Sequence, residues 1–241
     1  FNKAISGSYA PGSIFKMVTA LAGLESGVIS TTEKINDTGI YTRYRDYQPR
    51  CWYYNSYHRG HGYLDVSGAI EKSCNYFFYE TGNRMGIETL DKYANYFGLG
   101  RKTGIELPSE TSGTLASPEA AKKANETWSS GQTLQAAIGQ SYNSFSPIQL
   151  VKYIGMVANG GNKIKPTLIK RILNADGTES SKTEINEYVK EKLGLDDDNT
   201  ENLTFSGTNI NAVLEGMRSV TSGEAGTAYA RFKNFNIAVG G

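Results

Sequence analysis

Residues 9–25 read YAPGSIFKMVTALAGLE. Pro11 and Gly12 mark a turn. After them Phe15, Val18, Leu21, Ala22 and Glu25 recur at the helical period, and Gly27 stands where a helix would end. The spacing predicts a helix with Ser13 and Lys16 on one face, one turn apart. Such a pair has two readings. In the first, Ser13 caps the helix and Lys16 lays its stem on apolar surface with its amine in water. In the second, burial lowers the lysine pKa until it can take the serine proton, and the helix N-terminus favours negative charge at the serine. The S-x-x-K spacing alone does not choose between them.

The bulk composition narrows the field. The 241 residues are 39% hydrophobic and 20% charged, enough to bury a core. A net charge of +1 leaves no basic footprint for nucleic acid. The longest mostly apolar run, FKMVTALAGL, is too short to span a bilayer. The two cysteines do not fix a redox compartment. The chain starts without Met and stops in NIAVGG, so both ends read as cut and residues 1–241 are expected to be one domain of a larger protein.

Further along, residues 37–65 are irregular, rich in tyrosine and punctuated by glycine. A helix is predicted over about 65–79, interrupted near Ser73–Cys74–Asn75, followed by a short amphipathic one in IETLDKYANYFGLG. TLQAAIGQ, PIQLVKYIGMVANGG and NINAVLEGMRSVTS are three more, the second with Pro147 at its first turn. Residues 174–205 read as an acidic surface excursion, and NFNIAVGG as the start of a strand.

Ser73–Cys74–Asn75 is an S-x-N triplet, and S-x-x-K with S-x-N is a set shared by penicillin-binding proteins and class A β-lactamases. The stretches AISGSYAPGSIFKMVTAL, YRDY, GHG, DVSGAIEKSCNYFFYETGNRMGI, FGLGRKTGIELPSE, AAIGQ and SPIQLVKYIGMVANGG resemble, in order, the transpeptidase domain of class B penicillin-binding proteins. The run YRDY…GHG…SCN is most similar to the elongation-type group, penicillin-binding protein 2. The resemblance implies an α+β penicillin-binding fold, with this chain mostly its helical part and the central antiparallel sheet incomplete. It implies a peptidoglycan D,D-transpeptidase that passes through a serine acyl-enzyme and is blocked by β-lactams. Ser13 would be the nucleophile, Lys16 its base, Ser73 the proton relay to the leaving amine, and Asn75 the amide that holds the acyl chain and orients Lys16. Partners would be stem peptides, β-lactams, a membrane-embedded glycan polymerase and other cell-wall proteins. The place would be the outer face of a bacterial membrane, with the anchor elsewhere in the protein.

The family's third motif, K-[S/T]-G on a sheet strand, is not expected at Lys102–Thr103–Gly104. That literal match comes too soon after Ser73 and sits where the family has a turn. Nor is it expected at Glu224–Ala225–Gly226–Thr227, which lacks the lysine. The strand is expected just after Gly241, and with it the second oxyanion amide.

Both histidines and both cysteines fall between positions 51 and 74, with Asp37 and Asp46 upstream. Asp, His and Cys are all zinc ligands, and four protein ligands make a closed structural site. The plainer reading makes Asp37 a turn residue, Asp46 a surface acid, His61 a loop residue and Cys74 a small core residue. The resemblance implies zinc held by Asp37, Asp46, His61 and Cys74, with Cys51 and His58 as possible substitutes. If Ser73 and Asn75 face the cleft, Cys74 points behind it, so the metal would brace the catalytic loop without touching substrate. Two alternatives to a transpeptidase stay open here: a serine β-lactamase or D,D-carboxypeptidase with the same serine logic, and a catalytically silent or β-lactam-sensing scaffold.

Overall fold

The computed structural model describes residues 1–181, Glu187, Glu191 and 201–241. Most of the 174–205 excursion therefore lies outside the described residues. The described elements are α1 (Lys3–Ser6), a 3-10 turn (Gly12–Phe15), α2 (Lys16–Glu25), β1 (Ile35–Asp37), α3 (Trp52–Tyr57), β2 (Gly62–Leu64), α4 (Val66–Glu71), α5 (Asn75–Tyr96), α6 (Pro118–Lys123), α7 (Ser130–Ala137), α8 (Pro147–Ala158), α9 (Gly207–Ser222) and α10 (Tyr229–Phe232). Helices dominate, as expected, and β1–β2 is the one named strand pair among the described residues.

Helix α2 is the axis. Every residue from Lys16 to Leu24 is buried, so this helix has no solvent face. It packs against α5 and α9, α5 in turn against α7, and α4 against α9. Polar anchors fix its height. Thr19 Oγ1 donates to the Ala137 carbonyl at 2.7 Å, and Tyr153 Oη to the Ile14 carbonyl at 2.6 Å. Phe15 stacks on Phe145 with ring centroids 6.1 Å apart. The α-helix begins only at Lys16; Ser13 sits in the tighter 3-10 turn before it. Gly12 N–H donates to the Gly139 carbonyl at 2.9 Å, which ties that turn to the segment after α7.

The expected interruption near Ser73 is the break between α4 and α5. Helix α5 runs on to Tyr96, so IETLDKYANYFGLG is its second half rather than a separate helix; Gly86, at φ 74° and ψ 169°, marks the kink between the halves. Pro147 opens α8 inside a capping box of Ser146 and Gln149.

NFNIAVGG is not a strand. It runs irregularly along α9, with Gly241 N–H donating to the Met217 carbonyl at 2.8 Å. Its apolar alternation finds no neighbouring strand among the described residues, and a lone strand is not stable.

Candidate active site

Four side chains named from sequence meet at one place. Lys16 Nζ, 2% exposed as a residue, donates to Ser73 Oγ at 3.0 Å, the Ser73 carbonyl at 2.9 Å and Asn75 Oδ1 at 2.7 Å. Ser73 Oγ lies 3.0 Å from Ser13 Oγ. The contact from serine to lysine thus runs through Ser73. Hydroxyl protons rotate to suit, so a proton leaving Ser13 can pass to Ser73 while Ser73 passes its own to Lys16. Burial is the largest influence on Lys16 and lowers its pKa to about 8, against opposing pulls from Cys74 and Cys51. Near neutral pH a minority of this amine is already neutral, and that form is the one a general base requires.

Ser13, Ser73 and Asn75 line a cleft of about 450 Å³ together with Trp52, Ile138, Gln140 and Thr227. Ile138 and Gln140 belong to the AAIGQ stretch. Trp52 was not singled out in the sequence, and Thr227 was named only as part of a rejected motif match; it arrives because its N–H donates to the Glu71 carbonyl at 3.2 Å. No K-T-G segment lines this cleft among the described residues. At Lys102–Thr103–Gly104, Thr103 N–H and Oγ1 donate to Glu110 Oε1 at 2.7 and 2.6 Å, so that triplet is a turn wrapped on a carboxylate.

Behind the cleft, donor atoms of Asp37, Cys51, His61 and Cys74 all lie within 4.8 Å of one another. Asp46 is not among them. It lies exposed, on the wall of a separate cleft with Tyr44, Glu126 and Tyr142. The loop from Gly39 to Cys51 explains the exchange. Ile40 bridges to Arg50, Tyr41 N–H donates to Pro49 at 3.0 Å, and Cys51 N–H to Gly39 at 2.8 Å. Asp46 is carried out on the loop tip, and Cys51 at the loop base is set beside Asp37. His58, the other substitute, lies exposed at the end of α3.

The β1–β2 register sets Asp37 opposite Gly62, beside His61. Both glycines of GHG are required there. A Cβ on Gly60 would fall 1.9 Å from the Asp37 carbonyl oxygen, and Gly62 has φ +76°. His61 Nδ1 is 2.7 Å from Asp37 Oδ2 and 3.6 Å from Cys51 Sγ. Cys74 Sγ donates to Asp37 Oδ2 at 3.3 Å and lies 4.0 Å from Cys51 Sγ. Burial would raise the Asp37 pKa, but hydrogen bonds from His61, Gly39 and Cys74 hold it below the ordinary value. Burial would lower that of His61, and its bonds to Asp37 and Cys51 hold it above. The hydrogen bond with Cys74 brings the Cys51 thiol down to about 5, whereas burial, then Cys51, push Cys74 up. A thiolate is thus available in a buried nest of metal-binding donors.

The penicillin binding protein transpeptidase domain family matches residues 1–239. The chain belongs to that family. Among its penicillin-binding relatives, the peptidoglycan D,D-transpeptidase MrdA of Acinetobacter baumannii is 33% identical over 177 residues, covering 70% of this chain and 25% of the relative. MrdA of Haemophilus influenzae is 29% identical over 248 residues, covering 100% of this chain and 35% of the relative. The chain therefore spans a quarter to a third of the length of these curated relatives. The solved structure of Pseudomonas aeruginosa PBP2 in complex with WCK 5153 aligns with a TM-score of 0.80 at 31% identity, over 97% of this chain and 49% of that one. Helicobacter pylori PBP2 in complex with MreC aligns at 0.76 and 26% identity, over 99% of this chain and 39% of that one. These relatives support the elongation-type, class B assignment and the penicillin-binding transpeptidase fold.

The relay through Ser73 has a direct test. Ser73→Ala should slow acylation of Ser13 by a β-lactam by roughly 10²–10⁴-fold, the usual worth of a positioned acid–base group. Its unfolding free energy should stay within about 1 kcal/mol of wild type. Stopped-flow acylation and denaturant unfolding measure the two quantities separately.

Proposed function

We propose that this domain is the acyl-transferring centre of an elongation-type peptidoglycan D,D-transpeptidase. The observation that carries this reading is the chain Ser13–Ser73–Lys16–Asn75, each link within 3.0 Å, at the floor of an open cleft. Ser13 Oγ attacks the carbonyl between the two D-alanines of a stem peptide, and its proton moves toward Lys16. Negative charge gathers on the former carbonyl oxygen, which the Ser13 N–H can receive. The second amide for that oxygen, and a lysine for the substrate carboxylate, would come from a K-[S/T]-G strand, which is not among the described residues. As the bond to D-alanine breaks, Ser73 passes a proton to the leaving amine and Lys16 restores it. An amine of a neighbouring stem peptide then attacks the ester, and Ser13 regains its proton. A β-lactam enters the same path, but its opened ring stays attached as the acyl group. Splitting one amide exchange into two ester steps is ordinary covalent catalysis. The intact relay argues against a silent scaffold.

A structural zinc fits the nest behind the cleft, held by Asp37, Cys51, His61 and Cys74. Two thiols, an imidazole and a carboxylate are all zinc donors. When bound, the metal would supply cross-linking of the 37–74 segment, not water activation, because four protein ligands leave no open position. On the chain's side, Cys74 directs its sulfur to the nest while its neighbours Ser73 and Asn75 face the cleft.

Two relatives occur in assemblies, one a complex with MreC and one a peptidoglycan synthase complex, which supports cell-wall partners for this chain as well; a membrane-embedded glycan polymerase is our proposal for one of them. No helix among the described residues is long and apolar enough to cross a membrane. The outer face of a bacterial membrane is the proposed location, with the anchor elsewhere in the protein.

Mass spectrometry after penicillin treatment of the full-length protein tests the chemistry. The adduct is expected on the peptide holding Ser13 and should vanish in Ser13→Ala; an adduct that persists there sinks the assignment. Zinc is tested by elemental analysis of protein purified without chelator or metal-affinity resin. Cys51→Ser and Cys74→Ser should each lose the metal and lower Tm by roughly 5 °C or more. Asp46→Asn should keep both, and metal loss in Asp46→Asn with retention in Cys51→Ser would return the fourth ligand to Asp46.

A further inference from the structure

Ser73 has φ +48°, in the left-handed region that a serine seldom occupies. Its peptide is held there by two donors from different elements. Lys16 Nζ reaches the Ser73 carbonyl at 2.9 Å. The indole of Trp52 reaches the same oxygen at 3.0 Å and the Lys72 carbonyl at 3.1 Å. Strained backbone of this kind persists only where the surroundings over-determine it.

The orientation of that carbonyl matters for chemistry. A neutral lysine has two N–H donors and one lone pair. The two oxygens that cannot donate in return are the Ser73 carbonyl and Asn75 Oδ1. If both N–H groups go to these, the lone pair is left facing the Ser73 hydroxyl, the proton donor at 3.0 Å. Rotation of the Ser73–Cys74 peptide would release one N–H, misdirect the lone pair and shift the hydroxyl away from Ser13.

We propose that Trp52 is a positioning residue for this reaction: its indole N–H fixes the Ser73 carbonyl, and through it the direction in which Lys16 accepts a proton. The indole is itself well placed to do so. It starts α3, directly after buried Cys51, whose sulfur lies 4.0 Å from that of Cys74. Its ring packs edge-on against Tyr53 and His61, with centroids at 5.6 and 5.7 Å. Two adjacent residue pairs are thereby joined twice, by the sulfurs behind and by indole and carbonyl in front. Trp52 acts on the acyl transfer proposed above, so this inference rests on that reading.

Trp52→Phe in the full-length protein keeps a ring and removes the donor. The first-order acylation constant at saturating penicillin should fall by about 10–100-fold, the scale of a small misplacement at a reacting centre. The preceding non-covalent binding constant should change by less than about 3-fold. A second readout needs no activity. Cys74 is the one cysteine of this sequence that follows a serine. In the full-length protein, carbonyl-13C serine with 15N cysteine restricts the signal to Ser–Cys peptides, and the Ser73 carbonyl is the peak that Ser73→Ala removes. That carbonyl should move upfield when the indole bond is lost. If Phe destabilises the fold, benzothienylalanine at position 52 keeps the ring shape without the N–H and should give the same two results. A wild-type acylation constant in a folded variant overturns the proposal, as does an unmoved carbonyl. If wild-type protein is not acylated at all, the functional reading fails, and the carbonyl shift still decides whether Trp52 holds Ser73.

Discussion

Lys16 enters the interior on a helix that has no exposed face, and its amine ends against three oxygens contributed by another element. This contact sets the other requirements of the site. An ammonium so deeply buried is costly unless hydrogen-bonded. The α4–α5 connection must therefore bring Ser73 and Asn75 together at the right height, which it does by breaking one helix and starting the next within three residues. The same burial that makes the contact necessary also lowers the pKa toward the range in which the amine can accept a proton. Thr19, Tyr153 and Phe15 hold the helix so that the amine cannot withdraw along its axis.

The α4–α5 connection works on two faces. Ser73 and Asn75 meet Lys16 in front, and Cys74 caps α5 and turns its sulfur to Asp37 and Cys51 behind. Alternation between neighbours was expected from an extended stretch. It arises instead from one left-handed residue, Ser73, followed by an extended N-cap, Cys74. The rear cluster and the reacting groups thus share three consecutive residues, so loss of order behind the cleft would be felt at the relay.

Ser13, Lys16, Ser73 and Asn75 were legible because each pair is local. A spacing of three on a helix and a triplet at a helix boundary are patterns that short-range geometry preserves. The rear cluster was only partly legible. Asp37, His61 and Cys74, named from sequence, lie together in the nest, whereas Asp46 lies outside it and Cys51, named as a substitute, lies within it. Which of two residues reaches Asp37 depends on where the 39–51 loop closes, and backbone pairing between Ile40 and Arg50 decides that, not composition. Trp52 escaped notice because a single tryptophan in a tyrosine-rich loop carries no periodic signal. The strand read in NFNIAVGG failed for the opposite reason: alternation is local, but a strand needs a neighbour.

The most direct test of this account is the ionisation of Lys16 itself, followed by NMR of protein labelled at the lysine side-chain nitrogen and assigned by Lys16→Arg. The account predicts a midpoint of about 8, so that the amine is charged below this pH and neutral above it, with the capacity to accept the Ser13 proton rising through that range. A midpoint at the ordinary lysine value of 10.5 would contradict it, for the amine would then be a fixed cation at every pH where the cell wall is built.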